Sequence, residues 1–249
     1  MQVRFIILIL SISIFGCSSN GSQEPVAQNN PTPSTQQSSK QSEQIKQADQ
    51  VEHLEQVESS SYTQANEQYQ GLLKKVKTTP NFEYVKALKL TYIHTEYYQP
   101  FMGKEAELIA DMYSNIESKN WLACSDVSSK ILATNYISLD AHYGAMACSF
   151  ESNLVEQGKY HRTIMTHLLQ AMWQSGDGLS PMSPLFCTSK SELYAFLKFS
   201  GFTLITQSLL EFEDKTYDVI TVKDPDSNKE FELFFDISSQ WQYGFKDIK

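Results

Sequence analysis

The 249-residue chain lacks the patterns that would point directly to a chemical reaction. It contains neither His-Glu-X-X-His nor Cys-X-X-Cys, two of the spacings by which proteins bind zinc. Lysine and arginine nowhere cluster, and the formal net charge of -9 at pH 7 argues against a nucleic-acid partner. We therefore expect the chain to bind no metal, no cofactor and no nucleic acid.

The apolar run at the start of the chain is too short to cross a membrane comfortably. Arg4 precedes a mainly apolar run over residues 5–15, whereas a transmembrane helix needs about 20 such residues. One cation followed by a short apolar run is typical of a secretory signal peptide. The sequence therefore predicts a signal peptide over residues 1–16.

The apolar run ends in residues that resemble the bacterial lipobox. Ile14, Gly16 and Cys17 occupy three of its positions, and Phe15 stands where a smaller residue is usual. At about 0.8 kcal/mol per buried methylene, several acyl chains such as palmitate would hold a protein on the membrane permanently. By resemblance to lipoprotein sorting in Gram-negative cells, Ser18 rather than an aspartate directly after the cysteine implies the inner leaflet of the outer membrane, facing the periplasm. We expect a lipoprotein anchored through Cys17; the alternative is an ordinary signal peptide with an unmodified cysteine.

From Ser18 to Ser61 the chain contains no Phe, Trp or Tyr. Serine, glutamine and asparagine make up more than half of residues 18–50. Such a composition cannot bury enough apolar area to offset the entropy lost on ordering. We therefore predict a flexible tether over residues 17–61, with a reach of roughly 35 to 40 Å.

A globular domain over residues 62–249 follows, and it begins with helical periodicity. Apolar residues recur every three or four positions in six segments of residues 62–174, and Pro80 and Pro100 end the first two segments. Short polar links between helices of this length favour antiparallel neighbours. The sequence therefore predicts antiparallel helical hairpins over residues 62–174.

Two of the predicted hairpins share a period. Met112 and Met146 are 34 positions apart, as are Ile116 and Phe150. This is the period of tetratricopeptide helix pairs, although the second helices align only if extra residues are allowed in the turn. We therefore predict tetratricopeptide-like hairpins.

The pattern changes over residues 175–249. Ser189 and Glu192 are spaced as a capping box at the start of a short helix. Three strand-like runs follow, at residues 202–210, 217–223 and 229–237. The sequence predicts a short helix and a small antiparallel β-meander here, and for the whole domain an α+β fold that is mostly α.

Several short stretches occur together in an order that resembles a known family. They are "LDAHYGAMA", "SGDG", "YDVITV" and "FFDI", within residues 105–237. In this order they look like an uncharacterised bacterial family, domain of unknown function 4919. The resemblance implies a shared fold and supplies no mechanism.

The stretch "QSGDGLSP", residues 174–181, places Asp177 between two glycines. Asp177 stands alone, whereas a calcium loop of the EF-hand type needs several oxygen ligands at alternate positions. We predict a turn in which Gly176 or Gly178 ends the preceding helix in the left-handed conformation and Asp177 accepts backbone hydrogen bonds. The alternative is a site in which Asp177 works with His142 or His167.

The two histidines lie on apolar stripes of helices that we expect to be neighbours, so they could meet near one end of the bundle. A buried, hydrogen-bonded structural histidine is the commoner outcome for each. If the protein is an enzyme, His142, His167 and Asp177 are the candidates for acid-base roles.

Cys124 and Cys148 each lie twelve residues from a predicted turn centred near Tyr136. In an antiparallel hairpin they therefore sit at similar heights, roughly 18 Å from the turn. An oxidising periplasm would permit a disulfide between them. The alternative is that both are small core residues that allow close helix packing.

Three functions are compatible with these features. The first, which we favour, is an anchored module whose hairpins present a concave surface to a protein or peptide partner. The second is an envelope hydrolase that uses His142, His167 and Asp177. The third is a periplasmic immunity protein that neutralises a secreted toxin. The fold alone does not decide among them.

Overall fold

The computed structural model describes residues 62–101 and 103–244. The predicted signal peptide, Cys17 and the predicted tether lie outside the described residues. The first helix, α1, covers residues 62–78. The helices that follow are α2 (Phe82–Tyr92), α3 (Gly103–Glu117), α4 (Trp121–Thr134), α5 (Leu139–Glu151), α6 (Val155–Trp173), α7 (Lys190–Phe199) and α8 (Ser238–Gly244). The strands are β1 (Leu185–Phe186), β2 (Thr203–Phe212), β3 (Lys215–Lys223) and β4 (Glu230–Asp236).

Four of the helices begin at a residue whose side chain caps the exposed backbone N–H groups. Asn81, Asn120, Ser138 and Ser189 each accept a hydrogen bond from a backbone N–H in the first turn of α2, α4, α5 and α7. Such caps contribute about 0.5–2 kcal/mol each. The cap at Ser189 is the one that the capping-box spacing predicted.

The turns between α3 and α4 and between α5 and α6 have the same backbone geometry. Lys119 and Asn153 adopt positive φ, 57° and 60°, which ends the preceding helix as a left-handed C-terminal residue does. The next helices begin two residues later, at Trp121 and Val155, which are 34 positions apart. The second helices therefore start in register without extra turn residues. The relation to tetratricopeptide proteins stays a prediction.

The strands form one mixed sheet in the order β1-β4-β3-β2. The predicted meander is present as β2, β3 and β4, which pair antiparallel. β2 and β3 are joined by Glu213 and Asp214, both with positive φ, which suits a two-residue hairpin turn. β1 pairs parallel with β4, with Leu185 opposite Phe235. β1 was not predicted from the sequence, because two residues are too few for periodicity to show. The predicted fold class, α+β and mostly α, is confirmed.

The buried apolar residues form two cores. The central core lies where α1, α2, α6 and α7 meet the sheet, and its fully buried members include Met172, Phe196, Ile220 and Phe235. The hairpin core lies among α3, α4 and α5. It consists of Met112, Cys124, Val127, Ile131, Ala141 and Cys148. None of the described helices combines the length and apolar character that a bilayer crossing requires.

Candidate functional site

His142, the first predicted site residue, is completely buried on α5. Its Nε2 lies 2.8 Å from the Tyr136 carbonyl oxygen, which can only accept, so we assign the proton to Nε2. The neutral ring therefore accepts at Nδ1, where the Nδ1–H of His161 on α6 donates over 3.0 Å. Burial, followed by the neighbouring His161, lowers the pKa of His142 to about 3, and burial lowers the pKa of His161 to about 4. Both rings are neutral at neutral pH and join two helices.

His161 was not among the predicted site residues, which were His142, His167 and Asp177. The α5–α6 turn centres near Asn153, so His142 lies eleven residues before the turn, His161 eight after it and His167 fourteen after it. His161 and His167 each differ from His142 by three residues in height, in opposite directions, so counting heights in the predicted antiparallel hairpin does not choose between them. The hydroxyls of Tyr136 and Tyr160 meet beside the two histidines, at 2.5 Å. The cluster thus links the α4–α5 connection to α6.

His167 lies in a different environment, facing α2. Its ring packs edge-on against Phe82, with the ring centroids 5.9 Å apart. Its Nδ1 is buried and has no hydrogen-bond partner among the described residues. His142 and His167, which could have met, do not bond to each other, because both ring nitrogens of His142 are engaged by Tyr136 and His161.

Asp177 lies in a tight loop between α6 and β1. Gly178 adopts φ +73°, and its N–H donates to the Ser183 carbonyl oxygen at 2.8 Å. Asp177 Oδ1 accepts from the Leu179 N–H at 2.9 Å, and the Asp177 N–H donates to Ser183 Oγ at 3.1 Å. The Gly178 carbonyl accepts from the Phe234 N–H at 2.8 Å, which ties the loop to β4. The hydrogen bonds of Asp177 are thus those of a turn, and its side chain is exposed.

The prediction that one of the two glycines ends the helix is wrong. α6 ends at Trp173, and Gln174, with φ -88°, is its C-cap. Gly178 instead closes the loop four residues later. Gly176 is required by space, because a Cβ there would collide with the carbonyl oxygens of Ser183 and Pro184. The glycines serve the loop that connects the hairpins to the sheet.

A buried ion pair joins α2 to α7 beside this loop. Lys89 Nζ lies 2.7 and 2.6 Å from the two carboxylate oxygens of Glu192, and both side chains are almost completely buried. Glu192 Oε2 also accepts from the N–H and the hydroxyl of Thr188, at 2.6 and 2.9 Å. The ring of Phe186 lies 5.1 Å from the ammonium nitrogen. Capping-box spacing predicted that Glu192 would bond back to the N-terminus of α7, and nothing in the sequence indicated Lys89 as its partner.

A narrow polar cleft lies on the other side of Glu192, between α7 and the start of α5. It holds about 10 Å³, which is near the minimum for one water molecule. Glu105 accepts from the side-chain amide of Asn135, and Asp140 accepts from the hydroxyl of Tyr113. Burial raises the pKa of both carboxyl groups. A carboxyl group with a raised pKa is a candidate for a general acid. Each of these two is already hydrogen-bonded, however, and the cleft is too small for a substrate.

The described residues contain no group of three or more His, Cys, Asp or Glu side chains that could hold a metal ion. The three predicted acid-base residues have different partners. His142 bonds to His161, His167 packs against the ring of Phe82, and Asp177 accepts from the backbone N–H of Leu179. The described geometry therefore assembles neither a nucleophile with its base nor an acid with its base from them.

Cys124 and Cys148 form a disulfide between α4 and α5, with their Cα atoms 6.2 Å apart. The bond lies in the hairpin core, and Cys187 is a buried free cysteine in the central core. The pairing gives the hairpin core a covalent link that the central core lacks among the described residues.

The loop after α6 carries large apolar side chains that face solvent. Leu179 is 60% exposed and Met182 is 72% exposed, and Trp173 at the end of α6 is 43% exposed. We call these three residues the loop surface. Isolated exposed apolar residues are ordinary, but two at the tip of a hydrogen-bonded loop and one at its base form a candidate contact surface.

The chain belongs to the family described as domain of unknown function (DUF4919), whose model matches residues 37–244, more than half of the chain. The family resemblance seen in the sequence is thereby confirmed. No curated protein and no solved structure matches the chain.

Proposed function

We propose that this protein is a lipid-anchored bacterial envelope protein whose globular domain binds a protein partner in the periplasm through the loop surface. The single observation that carries the proposal is the loop itself. Leu179 and Met182 are exposed at its tip, while backbone hydrogen bonds at Gly178 hold its two ends together. A contact loop that is ordered before binding loses less conformational entropy when the partner arrives.

The predicted lipid anchor at Cys17 and the predicted tether support the same proposal from the sequence. A domain on a tether with a reach of roughly 35 to 40 Å can meet soluble partners while it stays attached to the membrane. The 34-residue repeat of the turns at Lys119 and Asn153 supports tetratricopeptide-like hairpins, which are common in interaction modules. The enzyme alternative is less favoured, because His142, His167 and Asp177 are not brought together.

Site-specific photo-crosslinking in intact cells tests the proposed surface. A photoreactive amino acid at Met182 should capture one defined protein. Leu122 is the matched control, because it is 76% exposed. It lies two residues before Cys124, and the disulfide from Cys124 to Cys148 places this part of α4 close to the end of α5. Leu122 is thus beside the α5–α6 turn, and Trp173 lies at the far end of the 19-residue helix α6, about 28 Å away.

Adducts at Met182 and none at Leu122 support the proposal. Equal labelling at both positions, or none at either, contradicts it. A captured protein that is a secreted toxin would identify the immunity-protein version of the same proposal.

Fatty-acid labelling tests the anchor independently. Wild-type protein should incorporate a labelled fatty acid and fractionate with the outer membrane, whereas Cys17→Ser should do neither. Label retained by Cys17→Ser would remove the anchor from the proposal and leave the loop surface untouched.

A further inference from the structure

A groove of about 250 Å³ runs between α2 and α6 and is closed at one end by β1. We call it the lysine groove. Its lining includes Lys86, Lys89, Leu90, Ala171, Ser175 and Phe186. Phe82 of α2 contacts His167 of α6. One helical turn further along, α2 contributes Lys86 to the groove and α6 contributes Ala171, so the two helices lie side by side there.

The groove combines apolar walls with ammonium groups. Phe186 and Ala171 offer an aromatic ring and a methyl group, and Leu90 stands half-exposed at the rim. Lys89 is buried to 1% exposure and is held from the far side by the Glu192 carboxylate. This arrangement is that of a ligand pocket, in which apolar walls surround a few placed polar groups.

The local charge favours an anion, although the chain as a whole is acidic. Lys86 lies one helical turn before Lys89 on the same face of α2, and both line the groove. The Glu192 carboxylate neutralises Lys89, whereas Lys86 Nζ lies 5.7 Å from the centroid of the Phe82 ring and has no ion pair among the described residues, which leaves one positive charge for a ligand. An ammonium carries three N–H donors, so Lys86 can hold a carboxylate oxygen directly.

We propose that the lysine groove binds a compact carboxylate with an apolar body. The ring or chain of the ligand packs against Phe186 and Ala171, and its carboxylate meets Lys86, with Lys89 behind it. A volume of about 250 Å³ is below that of pockets for drug-sized ligands, so the occupant is small. A free organic acid and the C-terminal residue of a polypeptide share this chemistry. The inference does not depend on the loop surface.

The test uses the intact purified protein with benzoate and hexanoate as probes, and with benzamide as the uncharged analogue of benzoate. We expect benzoate to bind with a dissociation constant in the millimolar range or tighter, as suits about nine heavy atoms. Benzamide should bind about tenfold more weakly or worse, because it lacks the charge. In NMR spectra, benzoate should shift the signals of the Ala171 methyl group and of Lys86. Equal binding of benzamide, or shifts confined to other regions, would overturn the proposal.

Substitutions test the contributions of the Lys86 charge and of the groove volume to binding separately. Lys86→Met should weaken benzoate binding about tenfold, whereas Lys130→Met, a lysine exchange on α4, should leave it unchanged. Ala171→Leu should abolish binding of both acids by filling the groove, and an unfolding curve checks that this variant still folds. If Ala171→Leu does not fold, Leu90→Ala at the rim replaces it and should weaken hexanoate more than benzoate binding. Unchanged affinity in the folded cavity variant would contradict the proposal.

Two further probes distinguish the source of the carboxylate. The peptide Gly-Gly-Phe with a free C-terminus is compared with the same peptide as its C-terminal amide and with benzoate. Tighter binding of the free peptide than of benzoate assigns the groove to a polypeptide C-terminus. Tighter binding of benzoate assigns it to a small free acid. Failure of every acid to bind rejects the site, and this result leaves the crosslinking test of the loop surface unaffected.

Discussion

The central core and the hairpin core bury their residues by different means. In the central core, large rings meet across elements, such as Phe196 of α7 and Phe235 of β4 with centroids 5.8 Å apart. The hairpin core has fewer and smaller residues, and its helices approach closely at Gly144, where a Cβ would collide with Met112 and lie 2.7 Å from Ser128 Oγ. Close packing of small residues leaves little apolar area to bury, so a covalent link is a larger share of the stability there.

The two cores also differ in how they hold charged side chains. The central core contains the Lys89–Glu192 pair, whose carboxylate accepts two contacts from Lys89 and two from Thr188. A buried pair is tolerated only where its hydrogen bonds are complete. The hairpin core keeps its carboxylate, Asp140, at its edge beside the Tyr113 hydroxyl. The larger core can therefore hold a charge pair, and the smaller core relies on a disulfide.

The largest expected effect comes from breaking the buried ion pair. Lys89→Met leaves the Glu192 carboxylate buried without its cation, and we expect a loss of about 3–5 kcal/mol in the free energy of unfolding. The double variant Lys89→Met/Glu192→Gln should recover most of this loss, because the amide oxygen can still accept from Thr188. Urea unfolding measures both.

The matched control for the buried ion pair is an exposed ion pair on α6. Lys159 and Glu156 lie 2.8 Å apart with side chains 59% and 86% exposed. Lys159→Met should change the stability by less than about 1 kcal/mol. A similar loss from both lysine variants would show that burial of the central pair is unimportant.

Removal of the disulfide should have the next largest effect. The bond closes a loop with a sequence separation of 24 residues. We expect Cys124→Ala/Cys148→Ala to lose about 2–4 kcal/mol, since the unfolded chain gains freedom. A reductant should lower the unfolding midpoint of the wild-type protein to nearly that of the variant. It should leave the variant unchanged, and a shift in the variant would place the effect elsewhere.

Gly144 tests how tightly the hairpin core is packed, and Gly71 of α1 is the control. Gly144→Ala should cost about 1–3 kcal/mol, because the added methyl group has no room beside Met112. Gly71 of α1 has no atom within 4 Å of its ideal Cβ, so Gly71→Ala should raise the stability by about 0.5–1 kcal/mol through helix propensity. Thermal unfolding of the two variants should therefore shift in opposite directions. Shifts of the same sign would show that the hairpin core relaxes around the methyl group.

The histidine pair that joins α5 to α6 should make the stability depend on pH. The pKa of His142 is about 3 and that of His161 about 4, both below the ordinary 6.5. The unfolded chain therefore takes up protons that the folded protein does not as the pH falls from 6.5 to 4, and stability falls in that window. We expect the two rings together to cost the folded protein about 1–2 kcal/mol of stability between pH 7 and pH 6. The raised pKa values of Glu105 and Asp140 act with the opposite sign.

His161→Gln measures the contribution of the pair. It should flatten the dependence of the urea midpoint on pH, because one titrating ring is gone and the amide can still donate to His142. His94 is exposed, so His94→Gln is the control and should leave the slope unchanged. An equal flattening by both variants would remove the buried pair as the cause.

Much of the fold was predictable from local pattern. Helical periodicity placed the hairpins, the 34-residue offset placed two equivalent turns, and Ser189 was recognised as a cap. The candidate site was less predictable, because residues such as His161 and Lys89 acquire partners far along the chain. Lys89 and Glu192 are 103 positions apart, and no periodicity within a helix relates them.

The amino-acid sequence by itself determined the helical hairpins and the three strands of the meander, because these depend on neighbours within a few residues. It also determined to which family the chain belongs. Tertiary structure alone decided that His142 bonds to His161 and that a lysine is buried against a glutamate. Such contacts depend on which helix faces meet and at what height, and small differences in packing free energy over the whole domain set both.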